Sequence, residues 1–369
     1  MKKYLLLFII YSNLFANTLE EKLGERLFFD PILSKNKTQS CSTCHNPNFG
    51  FIDNRKNRTN FGGAVSVGDD GKSIGDRNTP TAGYASFSPD FNFKNGVAIG
   101  GQFLDGREKD LSGQAGGPPL NPVEMGMDNK TEIVKRLKNN EFYNKSFMEI
   151  YGNDIFSSDK KFYKKMTNSI AAFEKTNFFQ PFDSKYDRYL RDEYDLTPLE
   201  DLGKSLFFSN NNTNCSTCHK LQQFSEAKRE TFSNYEYHNI GVPANKNLNI
   251  IADLGLFNHT KNKTDKGKFK VPTLRNVAIT APYMHNGVFR NLRTVIRFYD
   301  KFLTKRSGMN PETRRPWEDP EVDGNISIDK LSKGRPINKR KTKALIAFLR
   351  TLTDKRYEHL LINKNNRTR

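Results

Sequence analysis

Cys41-Ser42-Thr43-Cys44-His45 and Cys215-Ser216-Thr217-Cys218-His219 are one pentapeptide written twice, and its reading decides the fold. Cys-x-x-Cys-His is the attachment signature of c-type haem: two thiols add to the haem vinyl groups and the adjacent histidine becomes the proximal iron ligand. A zinc site or a pair of disulfides also uses Cys-x-x-Cys, but neither calls for His45 and His219 at the next position. With six histidines in 369 residues, both pairs gain that neighbour by chance with odds on the order of one in several thousand. All four cysteines are spent in these motifs. The sequence therefore predicts two covalent haems on Cys41, Cys44, Cys215 and Cys218, with His45 and His219 on the iron.

The duplication extends outward from the motifs. Leu23-Gly24-Glu25-Arg26-Leu27-Phe28-Phe29 precedes the first, and Leu202-Gly203-Lys204-Ser205-Leu206-Phe207-Phe208 the second. Later, Ser169-Ile170-Ala171-Ala172-Phe173-Glu174 matches Ala344-Leu345-Ile346-Ala347-Phe348-Leu349. Cys215 follows Cys41 by 174 positions and Ala344 follows Ser169 by 175, so one module occurs twice. The late segments have helical spacing, as do 133–151 and 186–208. Segments 62–83 and 115–127, rich in Gly, Asn and Pro, read as long loops. The expected class is mainly α with large loops, divided near Gln180-Pro181 into 17–181 and 182–369.

Lys2 and Lys3, an apolar run from Leu5 to Ile10 that thins toward Phe15, and then Ala16 read as a signal peptide, residues 1–16. The run is short for a bilayer span of about 20 residues, and no later stretch is apolar enough to cross, so no membrane insertion and a periplasmic location are expected. The net charge of +18 invites a nucleic-acid reading, but the basic residues lie in scattered groups such as 160–165 and 339–343, without a compact motif interleaved with aromatics. No nucleic-acid partner is expected. A positive surface would instead steer an acidic redox partner. Hydrophobic content is only 36 %, a deficit that a large cofactor in each core would offset.

These motifs, with Leu27-Phe28-Phe29-Asp30, Arg77-Asn78-Thr79-Pro80-Thr81, Asp105-Gly106-Arg107, Gln114-Ala115, Pro122-Val123-Glu124-Met125 and Pro272-Thr273-Leu274-Arg275-Asn276-Val277 leading into Pro282-Tyr283-Met284-His285, give the chain a resemblance to the bacterial dihaem cytochrome c peroxidases. The resemblance covers nearly all of the chain after residue 16. It implies two tandem cytochrome c-like domains, a peroxidatic haem in the first and an electron-transfer haem in the second. It also implies Gln114 and Glu124 as the distal pair of the peroxidatic haem, and a calcium ion held between the domains by Asn78, Thr280 and Pro282, the last two through backbone carbonyls. The implied reaction reduces hydrogen peroxide with electrons from a small c-type cytochrome. A homodimer is an assembly this resemblance leaves open.

Three positions depart from the family pattern. The loop Val67-Gly68-Asp69-Asp70-Gly71 lacks the histidine that usually occupies the first iron, and no histidine lies between His45 and His219. Tyr299 stands where the second haem usually takes a methionine, which resembles the branch containing the dihaem enzyme that matures the quinone cofactor of methylamine dehydrogenase. Leu104 replaces the tryptophan between the haems; the chain's single tryptophan is Trp317.

The repeat adds an argument of its own. Aligning Asp105-Gly106 with Asn286-Gly287 sets Pro118 opposite Tyr299. Proline has no side-chain donor for iron, whereas a tyrosinate oxygen is a known haem ligand, so one haem is expected open and the other closed. Met284, His285 and Met309 remain alternatives to Tyr299. On the open side Glu124 is the one acid between Pro118 and Met127, placed to move a proton between peroxide oxygens, with Gln114 as hydrogen-bond partner. Two further readings stand beside peroxide reduction: oxidation of protein side chains through a stored high-valent state, which the missing loop histidine and Tyr299 favour and Leu104 disfavours, and a pure electron carrier.

Overall fold

The structure is a computed structural model that describes residues 17–55, 63–221, 229–248, 252–304 and 307–365; the expected signal segment, 1–16, lies outside the described residues. Helices dominate. The first half contains α1 (Leu19–Phe29), α2 (Cys41–Cys44), α3 (Leu111–Ala115), α4 (Lys130–Lys138), α5 (Glu141–Tyr151) and α6 (Asp159–Glu174). The second contains α7 (Lys185–Leu190), α8 (Pro198–Phe208), α9 (Phe257–Thr260), α10 (Leu292–Asp300), α11 (Ile328–Leu331), α12 (Lys339–Thr351) and α13 (Glu358–Asn365). Two antiparallel ribbons, β1 (Asn92–Lys94) with β2 (Val97–Ile99) and β3 (Tyr237–His238) with β4 (Phe269–Lys270), are the paired strands among these residues. No described helix is long and apolar enough to cross a membrane.

The duplication is physical as well as textual. Thr18 starts α1 with a capping box closed by Glu21, and Thr197 starts α8 with one closed by Glu200. Each helix then crosses the long helix near the end of its own half, α1 on α6 and α8 on α12. The crossings are close because Gly24 and Gly203 lie at the contact. A Cβ on Gly24 would sit 1.8 Å from the Ser169 carbonyl oxygen, and one on Gly203 2.0 Å from that of Ala344. Neither obstacle can rotate away, so the helices would have to separate. Gly24→Ala and Gly203→Ala are each expected to cost at least about 3 kcal/mol, the upper end for overpacking, read as a lowered melting temperature. An unchanged melting temperature in both would refute this account of the crossing.

Apolar residues gather into two main clusters. One centres on Phe28, Phe147, Phe162, Phe173 and Phe179, the other on Phe207, Phe232, Leu345, Phe348 and Leu352. Edge-to-face contacts recur, Phe28 with Phe173 at 5.7 Å and Phe207 with Phe232 at 6.1 Å, so large rings make up for a modest apolar count.

Polar groups tie the halves together. Arg275, 1 % exposed, forms a two-pronged pair with Asp187 at 2.6 and 2.9 Å and lies against Tyr84, Phe182 and Phe232. Tyr84 donates to Asp354, which also accepts from Asn276 at 2.8 Å. Removing one member would strand a buried charge, the costly way to break such a set.

Two stretches with continuous helical spacing are broken in the structure. Segment 133–151 stops at Asn139 and restarts because Asn140 accepts from Tyr143 N; segment 186–208 stops at Leu190 and restarts at the Thr197 cap. Local cap chemistry overrides the apolar period at both. Segment 115–127 is a loop with one 3₁₀ turn, Pro118–Leu120.

Candidate functional site

The two pentapeptides have matching surroundings. His45 Nδ1 lies 3.2 Å from the Phe51 carbonyl oxygen, and His219 Nδ1 3.0 Å from that of Phe232. A carbonyl only accepts, so Nδ1 is the protonated nitrogen in each neutral ring and Nε2 is the nitrogen with a lone pair to give a metal; the His45 ring also has the Pro80 carbonyl as a hydrogen-bond neighbour. Burial lowers both imidazoles, His219 to about 4, which keeps them neutral as metal ligation requires. The four thiols are unpaired, and burial pushes Cys41 up to about 12 and Cys44 and Cys218 up to about 11. Among the described residues no three His, Cys, Asp or Glu side chains gather around a point that could hold a metal ion, so neither pair is arranged as a zinc site.

His219, Cys215 and Cys218 of the second half line a cavity of about 410 Å³ whose wall is largely apolar, including Leu292, Ile296, Leu345 and Leu349. Tyr299, on the inward face of α10, lines it too, and its hydroxyl has no hydrogen-bond partner among the described residues. Burial, reinforced by the Cys218 and Cys215 thiols, pushes its phenol well above the ordinary value. The other candidates fare differently. Met309 is 53 % exposed; His285 is held by Glu321 at 2.8 Å and stacks on Phe269 at 3.9 Å. Met284 lines the cavity but packs among Phe289, Phe298 and Val242. A flat apolar group bearing two thiol-reactive arms and a metal fits this cavity, its donors and its neutral imidazole.

In the first half, both aspartates of the histidine-free loop are engaged by nearby loop residues. Asp69 accepts from Asn36 N, Thr38 N and Thr38 Oγ1, and Asp70 from Lys72 N, Ser73 N and Ser73 Oγ. Glu124 is half-buried, with its carboxyl in electrostatic range of the Cys44 thiol. Burial raises it above the usual glutamate value, against the opposing pull of Arg107 and a hydrogen bond from Asn121. Gln114 sits on α3, started by the Asp110 cap, and its side-chain amide makes no hydrogen bond to described residues. Pro118 begins the turn whose carbonyl accepts from Met125 N.

Asn78, from the first half, and Thr280 and Pro282, from the second, all line the cavity. Asn78 Nδ2 donates to the Ala64 carbonyl at 3.0 Å, leaving Oδ1 free, and neither the Thr280 nor the Pro282 carbonyl accepts a main-chain hydrogen bond from the described residues. Three neutral oxygens are thus available there.

Two neighbours escaped the sequence reading. Arg55, braced by Asp53, donates to Cys44 Sγ at 3.4 Å; nothing in its local sequence marks it. Glu174 is buried with Oε2 unpartnered, and burial raises it to about 8. Its counterpart in the repeat is Leu349, a mismatch of acid against apolar residue that was visible in the aligned halves.

The model of a family described as di-haem cytochrome c peroxidase matches residues 19–195. The methylamine utilization protein MauG of Paracoccus denitrificans is 47 % identical over 352 residues, covering 92 % of this chain and 89 % of that one. The cytochrome c551 peroxidase of Nitrosomonas europaea is 31 % identical, over 90 % of this chain and 79 % of its own. Among solved structures, the diheme peroxidase BthA of Burkholderia thailandensis superposes with a TM-score of 0.82 at 29 % identity, covering 93 % of this chain and 88 % of that one.

Proposed function

Because this chain belongs to the di-haem cytochrome c peroxidase family, we propose that it reduces hydrogen peroxide at a haem in its first half, with electrons passed from a small c-type cytochrome through a haem in its second half. Each peroxide takes up two electrons and two protons and leaves as two waters. The haems are attached through Cys41/Cys44 and Cys215/Cys218 and held by His45 and His219. The modules are residues 17–181 and 182–369, and residues 1–16 direct the chain to the periplasm. Tyr299 would be the residue that holds the iron of the second haem, and Asn78, Thr280 and Pro282 would hold a calcium ion.

The observation that carries this reading is the asymmetry between the two sites: Tyr299 stands in one cavity with its hydroxyl unengaged, while Asp69 and Asp70 in the other half are tied up elsewhere. When bound, the first haem supplies the metal that polarises and splits the O–O bond. Glu124 takes the proton from the inner peroxide oxygen and returns it to the outer one, so that water and not hydroxide departs. Gln114 orients the outer oxygen through its free amide. Oxidation of a protein side chain is the second reading, favoured by Tyr299 and by the 47 % identity to MauG.

Mixing the fully oxidised protein with peroxide in a stopped-flow instrument tests the central claim. An immediate spectral change at the first haem, with no electron supplied beforehand, is expected. A change that waits for reduction would mean that some group closes the first iron and that the open-site argument is wrong. Steady-state turnover with reduced donor cytochromes then separates peroxide reduction from protein oxidation.

A further inference from the structure

The Arg77 and Asp105-Gly106-Arg107 motifs carry ion pairs that the proposed reaction does not use. Arg77 holds one carboxylate from each half. Its Nε and Nη2 donate to Asp253 at 2.5 and 2.9 Å, and its Nη1 lies 2.8 Å from Asp105 Oδ2, at an angle outside hydrogen bonding. From Asp105 the set continues to Arg107 at 3.0 Å, the guanidinium that opposes the burial of Glu124. From Asp253 it continues the other way: Asp253 N donates to Glu321 Oε1 at 2.9 Å, and Glu321 Oε2 meets His285 Nε2 at 2.8 Å. His285, Glu321 and Asp253 line the second cavity. Four members are well shielded, with side-chain exposures of 18 % for Arg77, 4 % for Asp105, 10 % for Asp253 and 8 % for Glu321, whereas Arg107, at the Glu124 end, is 42 % exposed. Phe269 covers them, stacked on His285 and 5.7 Å from Arg77.

We propose that Arg77 is a positioning residue that couples the two haem sites, setting the charge around Glu124 through Asp105 and Arg107 and the charge at the wall of the second cavity through Asp253, Glu321 and His285. The proposal rests on the haem reading above. Its physical basis is that solvent and salt screen buried charges weakly, so deleting one member changes the field at both ends. An arginine suits the position because its planar fork engages two carboxylates at once, which a lysine does not. Burial alone would raise Asp253, but the Arg77 hydrogen bonds and charge hold it below the usual carboxylate range. The charged or titratable groups facing Glu124 are Arg107, Asp76 and the Cys44 thiol.

The test compares Arg77→Met, Arg77→Lys and Asp253→Asn in the haem-loaded protein. Two readouts apply: the acid limb of the pH profile for peroxide reacting with the first haem, and the midpoint potential of the second haem. Arg77→Met leaves two carboxylates without their cation, so the limb should move up by roughly one pH unit and the potential should fall. Asp253→Asn removes a negative charge, so both readouts should move in the opposite directions, and Arg77→Lys should restore most of the limb. Opposite signs are what a mere mechanical clamp would not produce. Shifts of the same sign in the Met and Asn variants, or a change in melting temperature alone, would overturn the proposal. If Arg77→Met does not fold, the rise in potential in Asp253→Asn decides the matter alone. Wild-type protein without two haems would instead strike at the proposed function.

Discussion

Replacing Glu124 by glutamine is expected to slow peroxide turnover by roughly 10²-fold or more, the usual scale for a lost general acid–base group, while both haems and the fold remain. Glutamine keeps the size of the side chain and its contact with Asn121 but cannot carry a proton from one peroxide oxygen to the other. The effect has a pH signature. The carboxylate form accepts the first proton, and burial raises the Glu124 acid above the ordinary glutamate value. Activity should therefore fall as pH drops through that raised value, and the limb should vanish in the variant. Steady-state rates normalised to haem content are the measurement; equal rates in a fully loaded variant would remove Glu124 from the mechanism.

Changing Cys41 and Cys44 together to alanine is expected to remove one haem and abolish peroxide turnover. The matching change at Cys215 and Cys218 should also remove one haem but leave peroxide reacting at the first. Each thiol pair serves a half with its own apolar cluster, so the loss should stay local. Intact mass gives the count directly. Wild-type protein carrying a single haem, or zinc in its place, would sink the whole reading, because every assigned role starts from the two pentapeptides.

Much of the site was legible because its chemistry is written in adjacent residues. Cys-x-x-Cys-His needs no distant partner to be recognised, and a repeat of some 175 positions shows itself by comparison. The long helices of each half followed from apolar spacing, but the breaks at Asn139 and Leu190 did not, since a cap of one or two residues decides them. The choice at the second cavity was left among Tyr299, Met284, His285 and Met309. Exposure then set Met309 aside, and the Glu321 pair set His285 aside.

By itself, then, the sequence determined the duplication and the mainly α class, and it put forward the two attachment motifs and the shortlist Gln114, Glu124 and Tyr299, because these depend on residue type and local spacing. Tertiary structure alone decided which side chains are already occupied. Asp69 and Asp70 are taken by loop partners, Arg77 is shared between Asp105 and Asp253, 148 positions apart in the chain, and Gly24 and Gly203 are pressed against carbonyl oxygens of distant helices. A hydrogen bond or ion pair depends on distance and direction in space, and those are set only when segments far apart in the chain are packed against one another.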